Sequence, residues 1–67
     1  MRIELNGDPR EVASGTTVLA LLEQLGLARR GGLAVEVNAE VVPRSEHVAR
    51  ALADGDRVEV VTMMAGG

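Results

Sequence analysis

Cysteine is absent from this sequence, and so are phenylalanine, tyrosine, tryptophan and lysine. Without cysteine there is no disulfide, no thiolate metal ligand, no redox switch and no sulfur nucleophile, although the lack leaves the compartment open, because a cysteine-free chain persists anywhere. Without aromatic rings, base stacking and aromatic cages are unavailable. The core must then come from ten Val, nine Ala, eight Leu, one Ile and some of three Met. All seven basic residues are Arg, so no side-chain amine can form a Schiff base or accept an acyl group. Positive charge is in deficit: the net charge is -3 and the isoelectric point about 4.9, which argues against nucleic acid and for basic protein partners. Long apolar runs are missing too. No stretch approaches the roughly 18 residues of a membrane span, and Arg2 and Glu4 interrupt the start, so neither a membrane segment nor a signal peptide is expected and a cytoplasmic location is.

What is present fits one small domain of 67 residues with a marginal core. Ile3 and Leu5 alternate with Arg2, Glu4 and Asn6, the period of a strand with one buried face. Asn6-Gly7 signals a hairpin turn, with Pro9 allowing a longer loop, and residues 10–13 are expected to return as a short edge strand. Ser14-Gly15-Thr16-Thr17 offers a hydroxyl cap to a helix over 18–25, whose Val18, Leu21, Leu22 and Leu25 form one stripe; Gly26 ends it. Residues 27–32, with Arg29-Arg30 and Gly31-Gly32, read as a mobile loop. Residues 33–37 read as a strand, 38–40 as a turn and Val41-Val42 as a short strand stopped by Pro43, with Ser45 able to cap one helical turn. Asp54-Gly55-Asp56 turns the chain into a last strand over 57–62. A hairpin, a right-handed crossover helix and a final strand placed beside the first give an α+β fold: a β-grasp, or ubiquitin-like, mixed sheet packed on one main helix. The domain is expected over 1–62, with 63–67 as a flexible tail.

No side-chain constellation here makes an active site. His47 stands without a second His, a Cys or a carboxylate at ligand spacing and reads as a surface or half-buried structural residue, so no metal site is expected. The ten carboxylates are scattered, and Arg29-Arg30 reads as a solvated pair or a contact for an acidic partner. The end of the chain differs. Two terminal glycines, Gly66-Gly67, arise by chance with a frequency of roughly 0.5% at average glycine usage. A frayed end is one explanation. The other is a thin strip of backbone, free of Cβ atoms, that enters a narrow channel and presents a carboxylate. Residues 63–67 reach ~17 Å when extended. Such a carboxylate becomes electrophilic once activated as an acyl adenylate.

The segments TTVLALLEQLG, VNAEVVPR and DGDRVEVV and the terminal AGG together resemble the ThiS-type sulfur carriers of thiamine biosynthesis, across the whole chain. GDRVEVV with a terminal Gly-Gly is similar to other ubiquitin-like sulfur carriers as well, including the small subunit of molybdopterin synthase, while the compact length and VNAEVVPR pull toward the thiamine branch. The resemblance implies a protein cosubstrate with no bound cofactor and no active site of its own. An adenylating enzyme of the ubiquitin-activating type, using ATP and Mg, would join AMP to the Gly67 carboxylate, with Gly66 completing the motif. A persulfide supplied through a cysteine desulfurase or other donor would convert it to a thiocarboxylate, and thiazole synthase would take the sulfur. Delivery to molybdopterin or to tRNA, or a role as a protein modifier, are the alternatives. Alternation sends Glu59, Val61 and Met63 to the sheet face away from the helix, so Glu59, Val61, Met63 and the adjoining Met64 are the expected partner-binding residues.

Overall fold

The computed structural model describes residues 1–62. The tail expected over 63–67, with Met63, Met64, Gly66 and Gly67, lies outside the described residues. Five strands form one sheet: β1 (Arg2–Leu5), β2 (Asp8–Glu11), β3 (Leu33–Val37), β4 (Glu40–Val42) and β5 (Arg57–Thr62), in the order β2-β1-β5-β3-β4. The first and last strands run parallel at the centre, and the other neighbours are antiparallel. One helix, α1 (Val18–Gln24), supplies the buried stripe Val18, Leu21 and Leu22. These meet Ile3, Val35, Val37 and Val58 in a core built without an aromatic ring.

Several expectations shift by local chemistry. Asn6 and Gly7 both take positive φ, 48° and 89°, so the hairpin closes in two residues. Pro9 does not lengthen the loop; it sits in β2 opposite Glu4, on an edge strand where a missing N–H is tolerated. β2 therefore starts two residues earlier than expected, and Val12 continues the pairing by exchanging hydrogen bonds with Met1 (2.9 and 2.8 Å). Thr17 Oγ1 accepts from the Ala20 N–H at 3.1 Å and caps α1, which ends at Gln24. Gly26, at φ 74°, closes the helix: its N–H reaches the Glu23 carbonyl, and the Leu27 N–H reaches that of Leu22 (3.1 and 2.8 Å). Leu27 and Ala28 then pack on the core, so the loop expected to be mobile is anchored along its first part. Ser45 caps nothing. It lies inside a 3₁₀ turn, Arg44–Glu46, entered from Pro43 with no side-chain cap. The stretch 49–53, whose sequence favours neither helix nor strand, contributes Leu52 to the core and bridges Ala51 to Thr17.

Candidate functional site

β5 carries the chain toward Gly-Gly, and both its neighbours hold it. On one side β3 follows it to the final pair, Leu33 with Thr62. On the other side β1 stops at Leu5, opposite Val58, and Asn6 takes over with its side chain. The Asn6 N–H donates to the Val58 carbonyl (2.9 Å), its Oδ1 accepts from the Val60 N–H (2.8 Å), and its Nδ2 donates to the Val60 carbonyl (3.4 Å). One side chain thus imitates a further residue of β1. At its start β5 is pinned by a second asparagine: Asn38 Oδ1 accepts from the Arg57 N–H (2.9 Å), and its Nδ2 donates to Asp56 Oδ1 (3.0 Å). In the sequence both asparagines read as turn formers. Their left-handed positions were the available signal, since a residue that turns the chain also aims its side chain back at the neighbouring strand.

The face of the sheet away from α1 presents the expected partner residues that are described. Glu59 is exposed and Val61 is 46% exposed. The register sets Val61 beside Ala34 and Glu59 directly opposite Glu36. Val41, 67% exposed, extends the same face on β4 opposite Glu36. Val61 and Ala34 thus form one apolar pair on this face, and the next row across the strands is Glu59, Glu36 and Val41, whose facing glutamates are a like-charge pair that costs stability. Glu4 and Arg57 form a surface ion pair at 3.2 Å on this face, which adds little.

His47 is more deeply placed than expected, at 8% exposure, with Nε2 donating to the Val42 carbonyl at 3.0 Å. Among the described residues no three His, Cys, Asp or Glu gather as a metal would need. Asp54-Gly55-Asp56 is turn chemistry: Asp54 Oδ1 accepts from the Arg2 N–H (2.8 Å), and Asp56 Oδ2 from that of Ala53 (2.7 Å). No helix is long and apolar enough to cross a membrane among the described residues.

Parallel first and last strands at the centre of a mixed sheet, with one helix across a single face, define the ubiquitin-like β-grasp class. The ThiS family model matches residues 3–67. The chain belongs to the ThiS family, the sulfur carrier proteins of thiamine biosynthesis. It is 37% identical over 67 residues to the sulfur carrier protein ThiS of Escherichia coli, covering all of both chains. Two thiazole synthases, from Paramagnetospirillum magneticum and Magnetococcus marinus, are 42% and 43% identical to it over 67 residues, and this chain spans 20% of the length of each. The crystal structure of the thiamine biosynthesis protein ThiS from Geobacter metallireducens superposes with a TM-score of 0.86 at 38% identity, covering all of both chains. SAMP1 from Haloferax volcanii shares the fold at 19% identity, with a TM-score of 0.62 over 98% of this chain and 97% of its own.

Proposed function

We propose that this chain is a cytoplasmic protein cosubstrate whose reacting group is the Gly67 carboxylate and whose sulfur goes to thiazole synthase. The observation that carries the reading is the arrangement around β5: a strand fixed on both sides as far as Val60 and on one side to Thr62, with Gly66-Gly67 a few residues further along the sequence. A rigid strand sets the direction of approach, and two residues without Cβ atoms suit a narrow channel. The carboxylate attacks the α-phosphate of ATP in an adenylating enzyme of the ubiquitin-activating type, with Mg held by that enzyme, and pyrophosphate leaves. The terminal sulfur of a persulfide, supplied through a cysteine desulfurase or other donor, then displaces AMP to give an acyl disulfide. A thiol then attacks the donor's sulfur of that S–S bond, forming a disulfide with the donor cysteine and releasing the thiocarboxylate on Gly67. A cysteine-free carrier suits this sequence, because no thiol of its own can divert the persulfide or close on the activated carbonyl. The similarity of this chain to one fifth of the length of two thiazole synthases supports thiazole synthase as the acceptor.

The test is intact mass after incubation with the adenylating enzyme, ATP, Mg and a sulfur source. The expected result is a gain of roughly 16 Da, one oxygen exchanged for sulfur, confined to the C-terminal peptide. Mass added to an internal peptide, or transfer that survives deletion of Gly67, overturns the reading.

A further inference from the structure

On the helix side of the sheet, Leu22, Leu27 and Leu33 line an open dimple together with Arg30, Arg44 and His47. Its cavity volume is about 20 Å³, little more than the space of one water and far below the roughly 300 Å³ at which small-molecule pockets begin. It is a shallow open seat that can meet a single carboxylate group at its mouth and cannot hold a nucleotide. Neither arginine is neutralised: among the described residues the ion pairs use Met1, Arg2 and Arg57, and no side-chain hydrogen bond involves Arg30 or Arg44. His47 points the same way. Its Nε2 is committed to the Val42 carbonyl, and Nδ1 has no hydrogen-bond partner among the described residues. In an acidic protein with ten carboxylates, two guanidiniums without an ion-pair partner among the described residues thus flank an apolar floor.

The dimple also has a telling position. Leu33 begins β3 and pairs with Thr62, so the dimple lies at the end of the sheet where β5 finishes, on the face opposite Val61. We infer that it is a second anchor for the adenylating enzyme, one that receives an Asp or Glu side chain of that enzyme. The carboxylate is held by the Arg30 and Arg44 guanidiniums, and its methylenes lie on Leu27 and Leu33. Gripped on the outer face and in the dimple, the end of β5 is held from both sides, which fixes the direction in which the carboxylate is offered. The inference rests on the sulfur-carrier reading but not on its acceptor, because every such carrier must be adenylated.

The experiment measures carrier binding to the purified adenylating enzyme by calorimetry at low salt, without ATP or a sulfur donor. Arg30→Glu and Arg44→Glu are each expected to raise Kd more than tenfold, and Arg44→Gln by a smaller factor. Arg29→Glu carries the same change of charge, lies outside the dimple and is expected to stay within threefold. Unaltered melting shows that each variant is folded. Equal losses for all three glutamate variants mean general electrostatic attraction and overturn the anchor, as do unchanged affinities. A self-association of the wild type that Arg44→Glu abolishes overturns it too, by making a second copy the occupant. If the wild type gains sulfur in the separate mass assay while the arginine variants bind normally in the calorimeter, the anchor alone is refuted; a wild type that neither binds here nor gains sulfur there refutes the carrier reading with it.

Discussion

β5 uses the same residue type for opposite purposes. Val58 points toward α1 and is 0% exposed; Val61, on the other face, is 46% exposed and neighbours Ala34 and the facing glutamates. Hydrophobicity by itself does not tell the two apart. Strand parity does, because one face is filled by Leu21, Leu22 and their neighbours, whereas no core residue among those described packs against the other. One face holds the fold and the other is available to a partner, so identical substitutions on the two should separate stability from binding.

The largest effect is expected from that pair. Val58→Asp buries a carboxylate with no partner in a domain whose stability rarely exceeds about 3–5 kcal/mol at this size, so no cooperative melting transition should remain at 25 °C. Val61→Asp should melt within a few degrees of the wild type and yet lose more than ~1 kcal/mol of binding to the adenylating enzyme. A folded Val58→Asp, or Val61→Asp with full affinity, would remove the division between the faces.

A smaller effect tests how β5 is held. Asn6→Gly keeps the left-handed turn, since glycine accepts φ 48° without strain, but deletes both side-chain bonds to Val60. The cost should be about 1 kcal/mol, or some 4–8 °C of melting temperature for a domain of this size, with faster hydrogen exchange at the Val60 amide than at Val58. Uniform loss of protection along β5 would show that the clamp merely contributes to global stability.

The two hairpin turns give the next comparison. Asn6-Gly7 and Asn38-Ala39 share left-handed dihedrals, yet the second places an alanine at φ 70°. That conformation costs an L-residue roughly 1 kcal/mol or more, which is partly offset because alanine has less freedom to lose than glycine. Ala39→Gly should therefore stabilise the protein by about 0.5 kcal/mol in a denaturant titration, with an unchanged m-value. Destabilisation would mean that the alanine methyl makes a contact worth more than the strain.

Period and turn chemistry made the sheet and helix legible. Alternation over residues 33–37 and 57–62 located both long strands at their observed limits, and the stripe from Val18 located the helix. The misplacements came where a local rule met a tertiary partner. Pro9 reads as a loop residue until pairing with β1 makes β2 an edge strand in which its missing N–H does no harm, and His47 reads as a surface or half-buried residue until the Val42 carbonyl satisfies it inside. The outward placement of Glu59 and Val61 was legible because parity is a property of sequence order. The Asn6 clamp and the Arg30–Arg44 dimple were not, since each joins residues brought together only by the topology.

The smallest effect bears most directly on what the outer face is for. Glu59 and Glu36 stand directly opposite on β5 and β3, a pairing that works against the sheet. Glu59→Arg turns it into an attraction, and opposite charges across a strand pair contribute about 0.2–1 kcal/mol, reduced here because Glu59 is exposed and screened. A stabilisation of up to about 0.5 kcal/mol is expected, seen as a rise of a few degrees in melting temperature that shrinks in high salt. If the acidic edge meets Arg or Lys on the adenylating enzyme, the same substitution should slow association at low salt and flatten its salt dependence. The two readouts then move in opposite directions: a firmer fold and a poorer substrate. Were Glu59→Arg to stabilise the protein without slowing association, the facing glutamates would be an unexplained cost to the fold, and recognition on this face would rest on Val61 and its apolar neighbours.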